Sequence, residues 1–297
     1  MITQQISKKD YHMQKNNKGI QFVFFGTPTV AEETLSILET RGFIPALIVT
    51  APDRPAGRKL ALTPSPVKMW AQKHAIPVIQ PEKIDEETLT TLRELHTELF
   101  IVVAYGKIVP QSLINIPLHG VLNIHYSLLP KYRGASPVES ALLSGDTETG
   151  ITIQKMELKM DTGPIVASEK VPIEHKSTTP ALKKILTTVG GELLAKILPD
   201  WVAGKITPQA QDSQHATYCK KISKEDGLID PSGDPIINWN KYRAYFGWPG
   251  VYFFVERGDK KICVIVTKAE FKDGVFTILK VIPEGKKEMS FADFSRA

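Results

Sequence analysis

Short apolar runs alternate with stretches of helical spacing along the first two thirds of the chain. Five of the runs predict buried strands, at 21–26, 45–51, 74–80, 98–106 and 120–127. Between and after them, apolar residues recur with the period of a helix that buries one face. Strands that alternate with helices in this way are typical of βαβ units. We therefore predict an α/β domain with a Rossmann-like, wound and largely parallel sheet.

Later segments extend this pattern and then depart from it. The runs 150–157 and 164–173 predict two further strands, and 179–198 predicts a long amphipathic helix. After Trp201 the chain becomes polar and irregular. Beyond that point, short strand-like pieces are separated by turn sequences such as RGDK and KDGV, which is typical of a small, mostly β domain.

These changes predict four regions. The polar segment 1–18 lacks the apolar run of a signal peptide or membrane anchor, so we expect a flexible tail. Residues 19–203 form the main domain, 204–218 a linker, and 219–297 the β-rich C-terminal domain.

Composition narrows the class of protein. The 297 residues are 42% hydrophobic and 23% charged, as in ordinary globular proteins. A net charge of +5 permits a phosphate-rich partner without requiring one. The two cysteines, Cys219 and Cys263, form no CxxC pair or Cys/His cluster. Their number and spacing argue against a disulfide scaffold or a structural zinc site, and are typical of proteins in the reducing cytoplasm. No run approaches the roughly 20 apolar residues of a membrane helix.

Candidate chemistry lies at the end of the strand predicted at 120–127. Asn123, His125 and Ser127 share one strand face, and wound sheets bind ligands beyond the carboxyl ends of their strands. An amide and an imidazole side by side can stabilise an oxygen that gains negative charge. Asp161, in the turn sequence KMDTGPI, is the best candidate to hold the imidazole charged. A buried structural histidine is the alternative that so short a motif leaves open.

An extended apolar loop follows this strand and can form one wall of a slot for a flat ring. The loop consists of Ser127, Leu128, Leu129 and Pro130. Tyr105 and Gly106 end another predicted strand and are further candidates to line the slot.

These residues carry a family resemblance. NIHYSLLPKYRGASP at 123–137, followed by GDTETGITIQKMELKMDTGPI at 145–165, resembles the signature of the 10-formyltetrahydrofolate-dependent formyltransferases. The resemblance implies the formyltransferase fold and catalysis by Asn123, His125 and Asp161. It also implies 10-formyltetrahydrofolate as co-substrate, contacted by residues 127–130, and no metal.

Four further stretches resemble the branch of that family that acts on methionyl-tRNA. They are FFGTP (24–28), APDRPAGRKLALTPSPVK (51–68), KKISKEDGLID (220–230) and PEGKKEMS (283–290). This resemblance implies that a cytoplasmic monomer formylates initiator methionyl-tRNA for translation initiation. It makes Arg54, Arg58 and Lys59 candidates to contact tRNA, whereas a charge cluster alone favours a solvated loop.

The chain departs from that branch in two places. It has KLAL after Arg58, where relatives usually carry more lysine, and its C-terminal domain is short for a five-stranded OB-like barrel, so we expect a truncated one. Three alternatives stay open: a formyltransferase that acts on an amino sugar or another small amine, an inactive tRNA- or folate-binding protein, and a hydrolase of formyl-folate.

Overall fold

A computed structural model describes residues 19–56 and 61–296. The helices in these residues are α1 Thr29–Thr40, α2 Pro66–Lys73, α3 Glu86–Glu94, α4 Gln111–Ile114, α5 Pro137–Leu143, α6 Thr179–Val202, α7 Pro235–Ala244 and α8 Phe291–Arg296. The strands are β1 Phe22–Gly26, β2 Leu47–Val49, β3 Arg54–Ala56, β4 Ala61–Thr63, β5 Val78–Ile79, β6 Leu99–Val103, β7 Val121–His125, β8 Arg133–Gly134, β9 Glu148–Lys155, β10 Ile165–Pro172, β11 Tyr218–Cys219, β12 Val251–Arg257, β13 Lys260–Lys272, β14 Val275–Pro283 and β15 Met289–Ser290.

The main sheet has seven strands in the order β10-β9-β7-β6-β1-β2-β5. Its β7, β6, β1, β2 and β5 run parallel, and β9 pairs antiparallel with β7. Every residue of β1 and β6 is buried, as expected for parallel strands covered on both faces. The predicted α/β class with a wound, largely parallel sheet is therefore confirmed.

The chain separates into two compact units, each assembled from several stretches. The first unit comprises residues up to His125, Ile151–Glu169 and Thr187–Ser213. The second comprises Tyr126–Gly150, Lys170–Leu186 and residues from Gln214 onward. The strands β1 to β7 lie in the first unit, where Phe25 packs against Phe100 and Tyr105 with ring centroids 5.4 and 5.6 Å apart.

The second unit ends in a β-rich region. Strands β12 to β15 form a four-stranded antiparallel sheet, which confirms the predicted C-terminal β structure. Helix α7 packs on β13 and β14, where Trp239 stacks with Phe271 at 6.1 Å and with Tyr242 at 5.6 Å. These aromatic contacts account for the core on one face of the sheet.

Three local predictions need correction. The run 74–80 forms only the short strand β5, because its first residue, His74, is the C-cap of helix α2. Residues 235–244, expected among short strands, form helix α7. Asp234 accepts hydrogen bonds from the backbone N–H groups of Ile236 and Ile237, and Pro235 occupies the first turn, which is a typical helix start. The basic segment after residue 51, predicted as a loop, contains the short antiparallel pair of strands β3 and β4.

Candidate active site

Strand β7 places Asn123 and His125 on one face of the main sheet. In the ladder with β9, Asn123 lies opposite Gln154 and His125 lies opposite Thr152, while β6 flanks the other side. Asn123 is partly exposed and His125 is 5% exposed. The amide is thus accessible, while the imidazole is largely shielded from water, which strengthens its interaction with any nearby charge.

Asp161 lies in the turn between β9 and β10. Its Oδ1 is 3.6 Å from Nδ1 of His125, and the side chains of Asp161 and His125 are 13% and 6% exposed. The fold therefore brings together two residues 36 positions apart in a little-solvated environment. Two such groups form an ion pair whenever the imidazole is protonated.

Two glutamines hold the turn that contains Asp161, and neither belongs to the residues predicted for the site from the sequence. Nε2 of Gln154 donates to Oδ1 of Asp161 at 2.8 Å. Nε2 of Gln211 donates to the backbone carbonyls of Asp161 and Gly163 at 2.9 and 2.7 Å. For Gln154 the sequence does contain a signal, because an amide at the end of the largely apolar run GITIQ needs a buried partner.

The loop after β7 divides into buried and accessible residues. Ser127 and Leu129 are buried, and Oγ of Ser127 donates to the carbonyl of Lys131 at 2.6 Å. Leu128 and Pro130 line a pocket of about 550 Å³ in the second unit, together with Tyr132. Of the four predicted folate contacts, Leu128 and Pro130 are therefore the accessible ones. The Ser127 hydroxyl is used in a hydrogen bond within the loop.

Tyr132 gives this pocket a polar wall. Its hydroxyl donates to Oδ2 of Asp146 at 2.8 Å. Burial, together with the nearby Asp146 carboxylate, raises the pKa of Tyr132 to about 12, so the hydroxyl stays neutral and donates at physiological pH.

Tyr105 and Gly106 differ sharply in accessibility. The Tyr105 ring is 3% exposed and belongs to the core cluster around Phe25. Burial raises the pKa of its hydroxyl to about 12. Gly106 is exposed, with φ +78° and open space where a Cβ would lie. Of the two residues, Gly106 is therefore the accessible one.

The predicted tRNA loop is only partly described. Arg54 is exposed on β3 and pairs with Glu82 at 3.3 Å, whereas Arg58 and Lys59 lie outside the described residues. At the base of the hairpin, Asp53 accepts from Nζ of Lys68 at 2.7 Å and from Nε2 of Gln80 at 2.8 Å. These two hydrogen bonds hold the pKa of Asp53 below its usual range and anchor the hairpin.

The described residues contain neither a metal-binding cluster nor a membrane-spanning helix. Within 19–56 and 61–296, no three His, Cys, Asp or Glu side chains are grouped so that they can hold a metal ion. Within the same ranges, no helix has the length and apolar character needed to cross a bilayer.

Comparisons with known proteins identify the family of this chain. A family model described as Formyl transferase matches residues 19–198. The methionyl-tRNA formyltransferase of Geobacter sulfurreducens is 41% identical over 253 residues, which cover 85% of this chain and 80% of the relative. That of Listeria welshimeri is 39% identical over 295 residues, which cover 92% of this chain and 94% of the relative.

Solved structures share the fold at low identity. The methionyl-tRNA formyltransferase from Clostridium thermocellum aligns with a TM-score of 0.57 and 15% identity, over 91% of this chain and 99% of the other. The N-formyltransferase from Helicobacter canadensis, in complex with folinic acid and dTDP-3-aminofucose, aligns with a TM-score of 0.63 and 20% identity, over 87% of this chain and 95% of the other.

The matched region contains the parallel sheet, Asn123 and the His125–Asp161 pair. The family model and the relatives together show an enzyme of the formyltransferase type. The chain belongs to the formyl transferase family, in the branch formed by the methionyl-tRNA formyltransferases. The family predicted from the sequence motifs is confirmed.

Proposed function

We propose that this enzyme transfers the formyl group of 10-formyltetrahydrofolate to the α-amine of initiator methionyl-tRNA. The observation that carries the proposal is the little-exposed His125–Asp161 pair beside Asn123, in a chain whose curated relatives are methionyl-tRNA formyltransferases. Folinic acid, the folate in the complex of the Helicobacter canadensis N-formyltransferase, supports a folate donor.

The reaction needs a site that stabilises an oxygen as it becomes negative. The neutral α-amine attacks the formyl carbon, and the C=O bond opens to a tetrahedral intermediate with an oxyanion. Asn123 Nδ2 and the protonated imidazole of His125 donate hydrogen bonds to this oxygen. Asp161 stabilises the imidazolium, because opposite charges attract strongly where little water screens them.

Collapse of the intermediate completes the transfer. The attacking amine loses its proton, which Asp161 accepts directly or through water. The bond between the formyl carbon and N10 breaks, and N10 takes up the proton that Asp161 accepted, directly or through water, as tetrahydrofolate leaves. The new amide bond remains on the methionyl group.

The basic hairpin supports a nucleic-acid acceptor. We propose that Arg54, with Arg58 and Lys59, contacts the acceptor end of tRNA, since guanidinium groups bind phosphates and base edges with two parallel hydrogen bonds. The Arg54 side chain is 69% exposed, and among the described residues it forms an ion pair only with Glu82, which is 72% exposed. Exposed ion pairs are weak, so Arg54 can exchange Glu82 for a phosphate of the tRNA.

Acceptor choice tests the proposal. The enzyme is incubated with 10-formyltetrahydrofolate and one of four acceptors: charged initiator tRNA, charged elongator methionine tRNA, free methionine or a nucleotide-linked amino sugar. Formyl-methionine released from the tRNA is measured by mass spectrometry. We expect product on charged initiator tRNA and little on the other three. Formylation of the amino sugar alone, or loss of formyl-folate without a formylated acceptor, would contradict the proposal.

A further inference from the structure

The backbone of Asp161 is held in an unfavourable conformation. Its φ is +54°, in the left-handed region that residues other than glycine adopt uncommonly. Such a conformation persists only where surrounding groups fix it, and it tends to occur at functional sites. The groups that fix this turn therefore bear on the candidate catalytic carboxylate.

Gln154 fixes the carboxylate. Its side chain is 1% exposed, and Nε2 donates at 2.8 Å to Oδ1 of Asp161, the oxygen that faces His125. A carboxylate only accepts hydrogen bonds, so the amide nitrogen has to point toward Asp161. The distance from Oδ1 to Nδ1 of His125 is 3.6 Å, whereas the hydrogen bond from Gln154 is 2.8 Å, so Gln154 helps to set the direction of this oxygen.

Gln154 adopts this orientation at a cost. Among residues 19–56 and 61–296, its Oε1 has no hydrogen-bond partner although the atom is buried. An unpaired buried acceptor lowers stability, so the side chain keeps its contact with Asp161 at the expense of its own acceptor. Features that lower stability in this way are common in functional sites.

Gln211 fixes the backbone of the same turn. Nε2 donates to the carbonyls of Asp161 at 2.9 Å and Gly163 at 2.7 Å, so both of its hydrogens serve the turn. On the other side, a Cβ on Gly163 would lie 1.8 Å from the carbonyl oxygen of Lys155, which shows that the turn presses directly on β9. The backbone is thus held from two directions.

We propose that Gln154 and Gln211, here called the glutamine clamp, are positioning residues for Asp161. Gln154 aims the carboxylate and Gln211 holds the backbone that carries it, so that Oδ1 faces the imidazole when the oxyanion forms. The inference rests on the catalytic role proposed for Asp161. A misplacement of catalytic groups by about 1 Å costs on the order of 100-fold in rate, so the clamp affects turnover rather than substrate binding.

Two substitutions remove the clamp with little change of shape. Gln154→Met and Gln211→Met keep the side-chain length and delete the amide. We expect kcat to fall about 10- to 100-fold for Gln154→Met and about 10-fold for Gln211→Met, with KM for charged tRNA within about twofold of wild type. The matched control is Gln209→Met, an exposed glutamine two residues before Gln211, which we expect to keep wild-type kcat.

A double-mutant cycle separates positioning from general support of the fold. Each substitution is repeated in an Asp161→Ala background, with residual transfer followed under single-turnover conditions. A clamp that acts through Asp161 adds no further loss there, whereas a structural role lowers the rate in both backgrounds. Gln211 is partly exposed, so its variant gives a result even where Gln154→Met fails to fold.

The outcomes distinguish this inference from the proposed function. Wild-type kcat in both single variants, or an equal further loss in the Asp161→Ala background, would overturn the clamp. Near-normal turnover of Asp161→Ala itself would overturn the proposed catalytic role, whatever the glutamine variants do.

Discussion

Replacement of Asp161 by asparagine isolates the charge of the candidate catalytic carboxylate. Asparagine keeps the shape of aspartate, and its Oδ1 still accepts the hydrogen bond from Gln154. What disappears is the attraction between Oδ1 and a protonated His125 at 3.6 Å. With an effective dielectric constant of about 20, unit charges at that distance attract by roughly 4–5 kcal/mol.

This energy translates into a rate. Each 1.36 kcal/mol of lost transition-state stabilisation is tenfold, so the full attraction corresponds to about 1000-fold. The asparagine dipole recovers part of it, and we therefore expect kcat to fall about 100- to 1000-fold. Because the imidazolium matters most when the oxyanion forms, KM for both substrates is expected to change little.

The assay is single-turnover formyl transfer to charged initiator tRNA, with the product quantified by mass spectrometry. Circular dichroism checks that the variant is folded. Asp200→Asn is the matched control, because Asp200 is exposed and pairs only with Lys205 in the described residues. A loss of less than about fivefold in Asp161→Asn, with intact folding, would refute the electrostatic reasoning.

Three further predictions concern the site and its supports. Asn123→Ala removes one oxyanion donor and is expected to lower kcat about 100- to 1000-fold in the same assay, whereas a loss below tenfold would exclude that role. Asp53→Asn weakens the hairpin anchor: the hydrogen bond from Lys68 holds the pKa of Asp53 low, so its stabilisation is present above about pH 4 and is lost as the pH falls through that lowered pKa. We expect Tm to drop about 2 to 4 °C at pH 7 and the difference from wild type to shrink as the pH falls below about 4 and through that lowered pKa, whereas a difference that does not change with pH would contradict the cause given. Gly163→Ala places a Cβ against the carbonyl of Lys155 and is expected to destabilise the fold by roughly 1–3 kcal/mol in urea unfolding, while unchanged stability would show that the turn relaxes freely.

The parallel strands were predictable because a strand that is buried on both faces is apolar at nearly every position. FVFFG of β1 and LFIVV of β6 are apolar throughout, and both are fully buried. Helix α7 was missed because its apolar residues lack a clear helical period, and only its start, Asp234–Pro235, signals a helix. Strand β5 was overestimated because apolar residues after α2 resemble a longer strand.

The candidate site was predictable where its residues are close in sequence. Asn123 and His125 share a face because strand residues alternate, whatever the rest of the fold does. The partner of Gln154 depends on the register of β7 with β9 and on the turn that follows, and neither is specified by local sequence. The contacts of Gln211 arise from a segment 50 residues after Asp161, which no local pattern connects to it.

The most direct test of the account is the stoichiometry of formyl transfer. Tetrahydrofolate release and formyl-methionyl-tRNA formation are measured together, for wild type and for His125→Leu. We expect one formyl-methionyl group for each tetrahydrofolate released by wild type, and loss of both products in the variant. Tetrahydrofolate release with free formate and no formylated tRNA would contradict the account, because it would mean that water, and not the methionyl amine, is the acceptor.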